Sequence, residues 1–138
     1  MTTEIKPRPV PKPGTYVDTA PFWEGARNKE LVLQYCLDTG RFQHYPRPVS
    51  IYTGSRNLEW RKVAGTGTIY AKTVVNIAGP GLEGRLPLPV VTVDLDEGAR
   101  ILGNIVDADV DAIKIGGRVE VAWEQLADDV NYPAFRLV

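Results

Sequence analysis

The 138-residue sequence predicts a mainly β protein that opens with one short helix. Three features predict this. From Gly65 onward the chain breaks into short runs rich in β-branched residues, and Arg118–Leu126 alternates apolar and polar side chains cleanly. Between Cys36 and Gly54 one turn pattern occurs twice, as Cys36-x-x-Thr39-Gly40 and as Ser50-x-x-Thr53-Gly54. Ahead of both, Asp18, Thr19 and Pro21 supply the start signals of a helix.

Composition supports a packed domain. Hydrophobic residues make up 43% and charged residues 24%, enough for a real core. The lone Cys36 excludes an internal disulfide. No apolar run approaches the roughly 18 residues of a membrane span, and the first residues hold no apolar signal core. A cytoplasmic protein, with no membrane partner, is the expectation. Net charge is −1, but it is split: residues 1–73 carry +5 and residues 74–138 carry −6. That balance falls short of a dedicated nucleic-acid binder.

In chain order, residues 1–17 form a proline-rich tail, with Pro7, Pro9, Pro11 and Pro13 favouring extended backbone. A helix follows over about 19–30. Phe22 and Ala26 share one face, with Trp23 beside them. So short a helix must dock these aromatics on something, either the core or a ligand or partner groove. Leu31–Cys36 reads as a strand running into the first knuckle. The segment 41–48 is extended by its prolines, and Asn57–Lys62 leads out. Between 41 and 62 five cations face one anion, Glu59, with aromatics interleaved. Arg41, Arg47, Arg56 and Trp60 therefore join Phe22 and Trp23 as candidate ligand- or partner-binding residues.

The barrel begins near residue 63. Gly65–Ile77 is the long first strand. Pro89–Val106 is a hairpin around Glu97-Gly98. Residues 107–117 hold a short helix or turn, with carboxylates capping it near 110–115. Arg118–Leu126 and Pro133–Val138 complete five strands. A long first strand, a hairpin, an insertion and two further strands is the order of an oligonucleotide/oligosaccharide-binding (OB) barrel. The expected organisation is thus a tail at 1–17, a helix plus knuckle module at 18–62 and a barrel at 63–138.

The repeated turn has the spacing of two zinc knuckles. In a zinc ribbon each knuckle offers two ligands, and a glycine then turns the backbone at positive φ. Here the four positions are Cys36, Thr39, Ser50 and Thr53. Hydroxyls are poor zinc ligands beside thiolates. A ribbon frame without zinc is predicted, held by Phe42, Tyr45, Tyr52 and Trp60 and by hydroxyl-to-backbone hydrogen bonds.

The ordered segments resemble one family. They are Pro21–Gly25, Leu31–Cys36, Tyr45–Pro48, Gly54–Trp60, Gly65–Thr68, Val93–Gly98 and Ile115–Val119. Together they look like the acyl-CoA-associated OB-fold family with an N-terminal rubredoxin-like zinc ribbon, a domain of unknown function. The resemblance covers the chain from residue 18 onward. It implies a non-catalytic accessory subunit that binds or channels acyl-CoA and associates with a thiolase-like or lipid-transfer-type enzyme. The family's four knuckle positions are usually cysteines; only Cys36 carries over.

Other chemistry is weakly supported. Cys36 and His44 form no nucleophile–base pair with an orienting third group. Asp107, Asp109 and Asp111 start a calcium-loop pattern, but Ala112 and Arg118 occupy its required Gly and Glu positions. Gly79–Gly84 lacks the ending of a phosphate-binding loop. The alternative function is a single-stranded nucleic-acid-binding OB module using the basic aromatic stretch. The acidic barrel half opposes it.

Overall fold

The computed structural model describes residues 16–77, 83–127 and 130–138. The proline-rich tail apart from Tyr16 and Val17, and most of the Gly79–Gly84 loop, lie outside the described residues.

The helix α1 (Ala20–Arg27) is two turns long. Thr19 occupies the N-cap position, but its hydroxyl makes no cap bond to the helix. It instead accepts from the Tyr16 amide at 3.0 Å, folding the incoming chain over the helix start. The helix stops earlier than 30 because Lys29 turns left-handed, at φ 55°. The Glu30 amide then donates to Gly25 O at 2.9 Å and the Lys29 amide to Ala26 O at 3.0 Å. This reciprocal pair satisfies the last carbonyls and ends the helix.

Two antiparallel sheets follow. The first contains β1 (Val32–Cys36), β2 (Arg41–Gln43) and β3 (Leu58–Lys62), in the order β2-β1-β3. Cys36 lies opposite Arg41 on one side and Leu58 on the other. The second holds β4 (Thr66–Val75), β5 (Leu88–Leu95), β6 (Arg100–Asn104), β7 (Arg118–Ala127) and β8 (Val130–Leu137). Its order is β6-β5-β4-β7-β8. A parallel bridge between Ile105 and Phe135 brings the two outer strands together, and the Val106 amide donates to Phe135 O at 2.8 Å. The sheet is thereby nearly closed, with the strand order of an OB barrel.

Alternation decides which side chains fill the barrel. Along β5, Val91, Val93 and Leu95 point inward, joined by Ile69, Ile101, Ile113, Val119 and Phe135. Phe22, Leu31 and Leu33 belong to the same cluster, so helix, first sheet and barrel share one core. Gly67 is required at the β4–β5 crossing: a Cβ there would stand 2.4 Å from the Asp94 carbonyl oxygen. The β4 ladder shifts register between Ile69 and Ala71. Tyr70 beside this bulge is exposed, with the Arg100 guanidinium 3.6 Å over its ring.

Two further elements differ from expectation. The last strand starts at Val130, before Pro133. Pro133 is tolerated because β8 is ladder-paired along one side only, with β7. The expected helix near 110–115 is a single 3-10 turn, Val110–Ala112. Asp109 stands at its N-cap without a side-chain cap bond. Lys72 fixes the turn instead, its Nζ donating to Val110 O and Ile113 O at 2.9 Å each.

Candidate functional site: a clasp and a junction groove

The two knuckle turns lie side by side and have the same shape. The Gly40 amide donates to Cys36 O at 2.8 Å, and the Gly54 amide to Ser50 O at 2.9 Å. Both glycines are left-handed, at φ 68° and 74°. Cys36 and Ser50 are buried, and Ser50 Oγ donates to Cys36 Sγ at 3.1 Å. That hydroxyl also accepts from the amides of Tyr52 at 3.1 Å and Thr53 at 3.3 Å. The Ser50 and Thr39 hydroxyls pull the Cys36 thiol below its ordinary pKa, against the opposing effect of burial.

Thr53 turns to Asp38 rather than to Cys36. Its Oγ1 donates to Asp38 Oδ2 at 2.9 Å, Ser55 Oγ donates to the same oxygen, and Asn57 Nδ2 donates to Oδ1 at 2.9 Å. These bonds, that of Asn57 foremost, hold the Asp38 carboxyl below the usual carboxylate range. Two buried glutamines fix the connecting loop. Gln43 Nε2 donates to Gln34 Oε1 at 2.8 Å and to Val49 O at 3.2 Å, while its Oε1 accepts from the Ile51 amide at 2.9 Å. Gln34 donates to Arg47 O at 2.8 Å and accepts from the Arg47 amide at 2.9 Å.

A structural zinc takes four donors, chiefly thiolate or imidazole, with sulfur at about 2.3 Å. Here one thiol faces two hydroxyls, and the fourth position is bonded elsewhere. The donors do not fit zinc. Among the described residues no group of three or more His, Cys, Asp or Glu is placed to hold a metal.

Between the N-terminal module and the β5–β6 face of the barrel run two adjoining grooves, of about 490 and 540 Å³. The first is lined by Phe22, Trp23, Tyr45, Leu102 and Tyr132, among others. The second is lined by Phe42, Ile51, Tyr52, Asp94 and Arg100, among others. His44 lines both. Its ring lies 5.3 Å from Phe22 and 4.2 Å from Tyr45. Its Nδ1 is buried without a hydrogen-bond partner in the protein. Burial pushes its pKa down to about 4, so the imidazole is neutral at neutral pH. Trp23 is set edge-on to Phe22 at 5.1 Å and to Tyr132 at 5.6 Å.

Of the six candidate binding residues, Phe22 and Trp23 line the first groove, and Arg41, Arg47, Arg56 and Trp60 line neither. Arg41 stacks 4.1 Å over Tyr52, a wall of the second groove. Arg47 is exposed on the loop that Gln34 anchors. Arg56 is exposed, and its carbonyl accepts from Leu58 at 2.8 Å. Trp60 is half-buried against the core. Sequence reading missed Asp38, the two glutamines, and the groove walls His44 and Tyr132. The signal for the glutamines was present: both are polar residues in strand runs that flank the knuckles.

A ribbon-like three-stranded sheet set before an OB barrel on one core defines a two-module ribbon–OB protein. The chain belongs to the ChsH2/DUF35 family. Residues 60–124 match the family model for the ChsH2 C-terminal OB-fold domain, and residues 23–50 match that for the ChsH2 rubredoxin-like zinc ribbon domain. A chain of the solved structure called "Ltp2-ChsH2(DUF35) aldolase" superposes with a TM-score of 0.83 at 30% identity, covering 91% of this chain and 98% of that one. The 3-oxo-4,17-pregnadiene-20-carboxyl-CoA hydratase alpha subunit of Mycobacterium tuberculosis is 30% identical over 91% of this chain and 40% of its own length. A DUF35 domain-containing scaffold protein of Pyrococcus furiosus is 27% identical over 83% of this chain and 85% of its own. The chain spans about two fifths of the length of the hydratase alpha subunits it matches. Among the described residues no helix is long and apolar enough to cross a membrane.

Proposed function

We propose that this chain is a non-catalytic accessory subunit of an acyl-CoA-metabolising complex. It associates with a thiolase-like or lipid-transfer-type enzyme in the cytoplasm and binds or channels that enzyme's acyl-CoA. The observation that carries this reading is the likeness, over nearly the whole chain, to a component of the Ltp2-ChsH2(DUF35) aldolase. The scaffold name of the Pyrococcus relative supports the same role.

The geometry is consistent with handling a ligand rather than transforming it. The one thiol is buried under the Ser50 hydroxyl. The one histidine is neutral and stacked between aromatic rings. The first groove is lined mainly by aromatic and aliphatic side chains, with His44, Thr19 and Asn104 as polar points. Such a surface suits an apolar chain that carries a few hydrogen-bonding groups. Phe22 and Trp23 are its contact residues in this reading, and Arg41, Arg47, Arg56 and Trp60 serve a partner or the CoA end.

The nucleic-acid reading is disfavoured by the tyrosines. Tyr52, Tyr35 and Tyr70 each have a face covered by Arg41, Arg61 and Arg100, at 4.1, 3.6 and 3.6 Å. Those faces are not open for base stacking.

Titration with a long-chain acyl-CoA, read by tryptophan fluorescence, tests ligand handling. A saturable change that Trp23→Phe reduces is expected. No change in either the free chain or its enzyme complex contradicts the acyl-CoA part of the proposal.

A further inference from the structure

We infer that the Asp38 carboxylate has taken over the task of the family's zinc, cross-linking the two knuckles by hydrogen bonds on the outer side of the buried Cys36–Ser50 contact. The inference stands independently of the proposed function.

A ribbon metal holds two turns together because each turn supplies half of its ligands. Asp38 does the equivalent with oxygen. It lies in the first turn, between Cys36 and Thr39, and gathers three donors from the second turn and the strand lead beyond it. Thr53, at the fourth ligand position, is one of those donors. Ser55 and Asn57, on the other two, lie just past the second turn. A carboxylate accepting several such bonds is a strong centre, because the charge assists each of them. Ser50 completes the clasp from inside by bonding Cys36 at 3.1 Å. Two sulfurs on one tetrahedral zinc stand roughly 3.8 Å apart, given a bond of about 2.3 Å. The Cys36–Ser50 contact, at 3.1 Å, is shorter than that spacing: the two positions meet by a direct hydrogen bond and leave no room for an ion between them.

The two cross-links are then alternatives. The experiment compares four chains: the natural one, Asp38→Ala, the triple variant Thr39→Cys/Ser50→Cys/Thr53→Cys, and all four substitutions together. Metal content is read by elemental analysis after growth with zinc, and unfolding by thermal melts with and without chelator. Asp38→Asn, which keeps the shape, is included in case Asp38→Ala does not fold.

The natural chain should hold well under one zinc, with a chelator-insensitive melt. Asp38→Ala, or failing that Asp38→Asn, should melt several degrees lower. The triple variant should hold one zinc, and adding Asp38→Ala to it should cost little until chelator is present. Stoichiometric zinc in the natural chain would overturn the inference. So would Asp38 variants that melt as the natural chain does, a triple variant without zinc, or an undiminished Asp38→Ala loss in the zinc-loaded chain.

Discussion

Asn131 Nδ2 donates to the backbone carbonyl of Ala26 at 3.0 Å, tying the last strand of the barrel to the end of the helix. The bond spans 105 residues of sequence and fixes the element that carries Phe22 and Trp23 over the barrel. Asn131→Ala should lower stability by about 1 kcal/mol, the usual worth of one such bond. It should also weaken the acyl-CoA fluorescence response, because the aromatic wall loses its tether. Denaturant melts and the titration check the two effects; an unchanged stability would show that the tether carries no load.

Phe135 is fully buried and joins the two outer strands of the barrel. Phe135→Ala removes a whole ring from a closed core. The expected loss is about 3–5 kcal/mol in chemical denaturation. A loss under about 1 kcal/mol would mean that this side chain does not hold the closure.

Gly67 meets backbone, not a yielding side chain. Its missing Cβ would stand 2.4 Å from Asp94 O and 2.7 Å from a Val93 methyl. Gly67→Ala must therefore push β4 and β5 apart, at a cost of about 1–3 kcal/mol. Gly84→Ala, at an exposed glycine with nothing within 4 Å of the missing Cβ and no positive φ, is the control and should cost less.

His44 gives a pH signature. Its ordinary pKa of 6.5 falls to about 4 in the folded chain. Between those values the unfolded chain takes up a proton that the folded chain refuses. Stability is therefore full above pH 6.5 and declines as pH drops toward 4. His44→Phe should lack this decline and keep that of the carboxylates, so subtracting its profile from that of the natural chain should leave the imidazole's decline alone. Parallel profiles for the two chains would show that the imidazole is not held neutral.

The architecture was legible because it is written in local signals. Period-two alternation marked β7, the Glu97-Gly98 turn marked the hairpin, and the repeated glycine-ended turns marked the knuckles. Even Pro133 misled by only three residues, by seeming to open a strand that begins at Val130. The groove was half legible. Phe22 and Trp23 stood out as aromatics on a helix too short to stand alone. Tyr132, Leu102 and His44 did not, because they reach the groove from distant segments only after the barrel closes. Asp38 was invisible for a different reason. A carboxylate in a turn looks like ordinary surface until Thr53, Ser55 and Asn57 are seen converging on it.

The proposed subunit role is tested most directly by co-expressing the chain with a thiolase-like or lipid-transfer-type enzyme and measuring the complex by sedimentation. The two should run as one species of fixed stoichiometry that persists through dilution to the micromolar range. Two independent species at every concentration, with enzyme activity unaffected by the chain, would contradict the account.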